Sequence, residues 1–287
     1  MPAFRMILVA ADFSEQSKEA FRFACALAGE TKTRLVVLHV AEQPIGSGGP
    51  GMLIPIPPDT STYHDSLREK LRTEYIPDRP LDTDHRVRAG GVADEVLHEA
   101  QEDGADLIVL GTHGRTGLRR LLAGSVAEAV LRRAHCPVLA LRASEIHGPL
   151  LETRTILHPT DFSAPAAAAL RIARSLARDR GAKLHILHVV PDLVLPAEAM
   201  VLPLDDRPML QALEEIRIRT DGPDLKYPVE VELRRGGASL AILEATEVAD
   251  CDLIVLGTHG RTGIGRFLMG SVAEYVLRGA NCPVLVV

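Results

Sequence analysis

The stretch DLIVLGTHGRTGLRRLLAGS, residues 106–125, returns as DLIVLGTHGRTGIGRFLMGS at 252–271. A four-residue apolar run, LIVL, is followed each time by a glycine-spaced loop that ends in Gly-Ser. Extending the alignment to 106–139 against 252–285 leaves 27 of 34 positions identical. A second block, 12–40 against 161–189, keeps 12 of 29. The two blocks are offset by 146 and 149, so a three-residue length difference falls between them. Repeats of this length mark a duplicated domain. The halves run over 1–145 and 150–287, joined by the short segment RASEIHGPLLETR, whose Gly-Pro pair suits a linker.

Each half alternates strand and helix. RMILVAA is too densely apolar for a two-faced sheet. SEQSKEAFRFACALAGE follows with helical period, then RLVVLHV as a second strand. A helix near STYHDSLREKLRTEY leads to a third strand, TDHRVRAG. After VADEVLHEAQEDG, closed by glycine, come the strand DLIVLG, the helix SVAEAVLRRA and the strand PVLAL. The second half repeats this order and ends in PVLVV. Alternation of this kind predicts two tandem α/β domains, each a doubly wound five-stranded parallel sheet covered on both faces. Ligands of such sheets bind beyond the carboxyl ends of the strands, where strand order reverses.

Composition narrows the function classes. A net charge of −6 with 3% aromatic residues and no Trp argues against a nucleic-acid binder, which needs a basic face and stacking rings. No apolar run is long enough to span a bilayer, and MPAFRMILVAADFSE meets an acidic residue before a signal core forms. The expectation is a cytoplasmic protein without a membrane partner. Cys25, Cys136, Cys251 and Cys282 stand far apart with no C-x-x-C pair, which is neither a zinc pattern nor a disulfide framework.

In the repeated loop, Gly111 and Gly114 precede Gly124-Ser125, and Ser125 opens a helix; Gly257, Gly260, Gly270 and Ser271 match them. Glycines admit close approach of a ligand to backbone. A helix start offers unpaired N–H groups and a positive dipole end, hence an anion site. Arg115 and Arg261, with Arg119 and Arg120, add positive charge. An alternative stands beside this: Ser125-Val-Ala-Glu128 and Ser271-Val-Ala-Glu274 both fit a capping box, which needs no ligand. A Walker A loop is excluded because no Lys precedes either serine. The dinucleotide fingerprint is disfavoured because ADFSE after the first strand holds no glycine.

The spacing G-x-x-G, nine residues, then G-[ST], set between LIVLG and CPVL, resembles the universal stress protein family. ILVAADFSE and ILHPTDFSA look like that family's first strand and turn. The resemblance covers the chain as two tandem domains and implies an adenine-nucleotide alpha-hydrolase-like fold. It implies the ATP-binding branch of the family, with ATP as cofactor, with or without Mg2+. It places Asp12 and Asp161 near the adenosine moiety, where a carboxylate accepts hydrogen bonds. The backbone of Val40 and Val189 would meet the adenine edge. Gly111, Gly114, Gly124, Ser125 and Val126 would hold ribose and phosphates in the first half, and Gly257, Gly260, Gly270, Ser271 and Val272 in the second. The halves differ before the aspartate: Ala10-Ala11 in one, Pro159-Thr160 in the other. Both are expected to bind, the second more tightly, with Thr160 contributing. The resemblance further suggests that the halves pack as an internal pseudo-dimer through their last strands. Homodimerisation of whole chains stays open.

Other residues carry less. His113 and His259 lie in the loops and either touch phosphate or order local backbone. His39 and His188, ending the second strands, read as structural, since a metal would need further ligands at suitable spacing. Asp12 and Asp161 could cap helix one, but Ser14 and Ser163 are available for that task. The Pro/Gly-rich segment 42–60 is either loop packing on its own domain, a lid or a partner surface. No catalytic constellation is legible. The expected function is a nucleotide-binding stress or signalling module, with a slow ATPase or a binder of AMP or cyclic AMP as alternatives.

Overall fold

A computed structural model describes residues 4–29, 33–41, 60–112, 124–141, 153–191, 207–220, 227–258 and 269–287. The chain divides into two units, Met1–Ala143 and Ser144–Val287. The first runs β1 (Met6–Ala10), α1 (Glu15–Ala28), β2 (Arg34–Ala41), α2 (Thr60–Glu74), β3 (Thr83–Ala89), α3 (Val92–Glu102), β4 (Leu107–Gly111), α4 (Ser125–Arg133) and β5 (Val138–Leu141). The second runs β6 (Thr155–Pro159), α5 (Ala164–Arg180), β7 (Lys183–Val190), α6 (Arg207–Thr220), β8 (Val229–Arg235), α7 (Ala238–Val248), β9 (Leu253–Leu256), α8 (Ser271–Gly279) and β10 (Val284–Val286).

The strands lie in the order β3-β2-β1-β4-β5 in the first unit and β8-β7-β6-β9-β10 in the second. Neighbours within each unit pair in parallel. The chain winds outward from β1 to β3, then returns to the other side of β1 with β4. The switch of direction therefore falls between β1 and β4, and between β6 and β9. The central strands are sealed: Ile7, Leu8, Leu107, Ile108, Ile156 and Leu157 have no exposed surface. Each such side chain contributes about 1.5–3 kcal/mol by leaving water.

The aspartate that opens each DLIVL run has a fixed task. The Asp106 carboxylate accepts from the N–H groups of Arg5 at 2.9 Å and Met6 at 3.1 Å. Asp252 accepts from Arg154 at 2.7 Å and Thr155 at 2.8 Å. These bonds pin the start of the first strand to the start of the fourth and so set the register in which both reach the switch point.

One difference concerns Pro159. The β1–β4 ladder runs through Val9↔Val109, while the β6–β9 ladder stops after Leu157↔Ile254. Pro159 has no N–H to give the neighbouring strand. His158 Nδ1 lies 2.9 Å from the Val255 carbonyl and replaces the missing donor. The ring is fully buried, so its Nε2 is left as an acceptor without a partner among the described residues.

Candidate functional site

The site is built where β1 leaves the sheet. The Asp12-Phe13-Ser14 and Asp161-Phe162-Ser163 turns put Phe13 at φ 65° and Phe162 at φ 62°, left-handed for a bulky residue. Such a conformation costs about 1–2 kcal/mol, so the surroundings must hold it. Ser14 caps α1 by accepting from the Ser17 N–H, and Ser163 caps α5 by accepting from the Ala166 N–H. The aspartates are thereby spared from capping. Asp12 Oδ1 accepts from the Ser14 N–H at 3.0 Å, and Asp161 Oδ1 from the Ser163 N–H at 3.0 Å. Each is an Asx turn that fixes where the carboxylate stands.

His39 and His188 have a structural role with consequences for the site. His39 Nδ1 donates to the Ala11 carbonyl at 2.7 Å, and His188 Nδ1 to the Thr160 carbonyl at 2.7 Å. Each ring also packs on the turn phenylalanine, centroids 4.6 Å apart. The last β1–β2 contact is the bond from the Ala11 N–H to the Leu38 carbonyl; Thr160 and Leu187 repeat it. Because peptide groups alternate sides along a strand, Val40 and Val189 present theirs in the same direction as Leu38 and Leu187. The first strand has already turned away there. The resemblance gives Val40 and Val189 to an adenine edge; their peptide groups point to the side that the first strand has left.

On the other wall, Gly111 and Gly257 are demanded by packing. A Cβ on Gly111 would lie 2.9 Å from Gln16 Cβ, and one on Gly257 2.8 Å from the Pro165 carbonyl carbon. The first turn of helix one thus rests directly on the end of the fourth strand. The Thr112 N–H donates to Leu141 and the Thr258 N–H to Val287; the Thr112 and Thr258 carbonyls accept from the Gly124 and Gly270 N–H groups. These bonds hold the starts of α4 and α8 against the sheet.

The capping box is not formed. Gly124 and Gly270 are the N-cap residues, without a side-chain cap, and Ser125 and Ser271 occupy the first helical position. The first intrahelical bond runs from Glu128 N–H to the Gly124 carbonyl, with Glu274 and Gly270 matching. A serine one residue later cannot reach back as a cap. The N–H groups of Ser125, Val126 and Ala127 precede the helical ladder, as do those of Ser271, Val272 and Ala273. Gly114, Arg115, Gly260, Arg261, His113 and His259 lie outside the described residues, as does the segment 42–59.

Two features escaped the sequence reading. Tyr75, just beyond α2, is fully buried, and its hydroxyl accepts from the Phe13 N–H at 3.0 Å. Ser17 Oγ lies 2.6 Å from the same hydroxyl and also accepts from the Asp12 N–H at 3.3 Å. In the second domain the Phe162 N–H is answered by Thr160 Oγ1 at 3.1 Å. Thiol chemistry finds no support: burial pushes Cys25, Cys136 and Cys251 up to about 12. Among the described residues there is no cluster of metal-ligating side chains, and no helix is long and apolar enough to cross a membrane.

Parallel order with a central switch, an Asx turn after the first strand and a glycine-led helix after the fourth define an adenine-nucleotide alpha-hydrolase-like domain, present twice. The sequence profile of the universal stress protein family matches residues 3–142 and 152–287, and the chain belongs to that family. It is 28% identical over 98% of its length to universal stress protein Rv2005c of Mycobacterium tuberculosis, covering 96% of that protein. Universal stress protein MJ0531 of Methanocaldococcus jannaschii is 35% identical over 47% of the chain and 81% of its own length. A crystal structure of a universal stress protein from Archaeoglobus fulgidus superposes with TM-score 0.71 at 23% identity, covering 98% of this chain and 97% of that one. At that identity the likeness concerns the fold.

Proposed function

We propose that each domain binds one adenine nucleotide, ATP in the first instance, and that the chain acts as a nucleotide-responsive stress or signalling module. The observation that carries this reading is the uncapped helix start at the switch point, present in both domains. Three consecutive N–H groups at the positive end of a helix dipole suit a phosphate chain. The Ser125 and Ser271 hydroxyls, not engaged as caps, add a donor each. Asp12 and Asp161, fixed by their Asx turns, would accept from ribose hydroxyls or the exocyclic amine. Val40 and Val189 would offer N–H and C=O to the base. The donor set fits the nucleotide; the triphosphate, when bound, would tie the first and fourth strands to α4 or α8 and stabilise that arrangement. The residues offer binding and orientation, so hydrolysis is not required for the role.

Mass spectrometry of ligand released from purified protein, followed by calorimetric titration with ATP, AMP and cyclic AMP, tests the reading. Two ATP sites per chain are expected. Preference for AMP or cyclic AMP would move the function to another adenine nucleotide, and no binding by any of them would refute it.

A further inference from the structure

The Phe13 turn is held by a network whose donors can be assigned one by one. Ser17 Oγ lies 3.0 Å from the Ser14 carbonyl, which only accepts, so its single proton goes there. Its two lone pairs then receive the Asp12 N–H and the Tyr75 hydroxyl proton. The Tyr75 oxygen in turn receives the Phe13 N–H. Every proton has one acceptor, and the circuit closes on the Asx turn through the Ser14 N–H to Asp12 Oδ1. The phenol comes from a residue 62 positions along the chain, at the end of α2. Two more contacts tie α2 to the same place. Lys70 Nζ sits 4.2 Å above the Phe13 ring, and Lys18 on α1 pairs with Glu74 at 3.1 Å.

The second domain keeps the turn and replaces the device. Position 11 is Ala where position 160 is Thr, and position 17 is Ser where position 166 is Ala. The Thr160 hydroxyl, two residues from Phe162, takes the place of the remote phenol.

We propose that Tyr75 is the positioning residue of the first nucleotide cradle: its hydroxyl holds the turn that presents Asp12, so α2 and a nucleotide in that cradle respond to one another. This rests on the nucleotide reading of the site given above. In the second cradle the same positioning is local and belongs to Thr160.

The test uses the full-length protein and ATP, with hydrogen exchange read separately on peptides from the starts of α4 and α8. Tyr75→Phe should weaken ATP at the first cradle about tenfold, since the part-buried Phe13 N–H loses the phenol oxygen, and leave the second unchanged. Adding Ala11→Thr to Tyr75→Phe transplants the second domain's device and should restore affinity to within about threefold. Ala11→Thr alone should gain nothing, because the Phe13 N–H is already answered. Thr160→Ala should weaken only the second cradle. In ligand-free protein, Tyr75→Phe should speed exchange of the Phe13 and Ser14 amides, and Ala11→Thr should reverse it. ATP at the first cradle should slow exchange at the end of α2. Unchanged affinity in Tyr75→Phe, a loss that Ala11→Thr does not repair, or an α2 indifferent to ATP would overturn the proposal. If neither cradle takes ATP, the nucleotide reading falls and the coupling with it. Ligand-free exchange then still decides whether Tyr75 holds the turn.

Discussion

The two Asp-Phe-Ser turns differ by only 3° at their phenylalanines, φ 65° against 62°, yet different chemistry holds each. Histidine, capping serine and Asx turn are common to both. The acceptor for the phenylalanine amide is not: a phenol from across the domain in one, a threonine beside it in the other. The shape of the turn is therefore a requirement of the fold, and the means of meeting it are exchangeable. Elsewhere the halves diverge in the same way. Glu99, buried on α3, accepts from Arg86 and Arg88 of β3, whereas the matching position in α7 is Ala245. Val9 in β1 is matched by His158 in β6.

These differences should separate the domains in solution. The largest effect is expected from Glu99→Ala. It removes the buried acceptor that Arg86 and Arg88 share and should cost the first domain about 3 kcal/mol, the lower end for a broken buried pair because Arg86 keeps Asp84 and Asp103, Arg88 keeps Glu102, and both guanidinia are partly exposed. Chemical denaturation followed by exchange in each domain would show it, and equal loss in both would break the comparison. Burial tends to raise the Glu99 carboxyl, but its bonds with Arg88 and Arg86 outweigh that and hold it below its ordinary value of 4.5. Its contribution is present at neutral pH and lost in acid, as pH falls below that value.

Acid should act earlier on the second domain. Burial pushes His158 down from 6.5 to about 4, against the opposing charge of Asp161. The unfolded chain therefore takes up this proton first as pH falls. Stability is full above pH 6.5 and declines between 6.5 and 4, by on the order of 2–3 kcal/mol. Stability measured against pH should show this step in the second domain, and His158→Val combined with Pro159→Ala, which returns a peptide donor to the Val255 carbonyl, should remove it. A smaller cost, about 1–3 kcal/mol, is expected from Gly257→Ala, because the new Cβ meets the backbone of Pro165 and Ala166. Gly111→Ala should cost somewhat less by thermal melting, because its Cβ meets Gln16 Cβ at 2.9 Å but the Gln16 and Ser17 backbone only at 3.2 and 3.4 Å. Ser163→Ala should cost about 1 kcal/mol for the lost cap. Ser14→Ala should cost a similar amount, its hydroxyl serving both as the cap and as a donor to Asp12.

Much of this architecture was legible because strands buried on both faces read as unbroken apolar runs. RMILVAA, RLVVLHV and DLIVLG fall on β1, β2 and β4 to within a residue or so at each end. Ser14 and Ser163 were readable as caps because they directly precede a helical period. The capping-box alternative at Ser125 and Ser271 fails because a capping box is a spacing, and the spacing survives a shift of one residue that puts glycine in the cap. Tyr75 could not be read at all: its hydroxyl meets residues 58 and 62 positions away, a distance no local pattern spans. Nor was the packing demand on Gly111 visible, since it arises where the first turn of α1 touches the end of β4. The sequence offered that glycine for ligand approach.

The imidazole that stands in for a proline's absent amide in β6 makes two neighbouring positions interdependent. Restoring a peptide donor at Pro159 would make the ring redundant, and deleting the ring while keeping the proline would orphan a carbonyl. The ring can be lost only together with the proline, so any homologue that keeps the proline without the histidine must satisfy that oxygen by a third route.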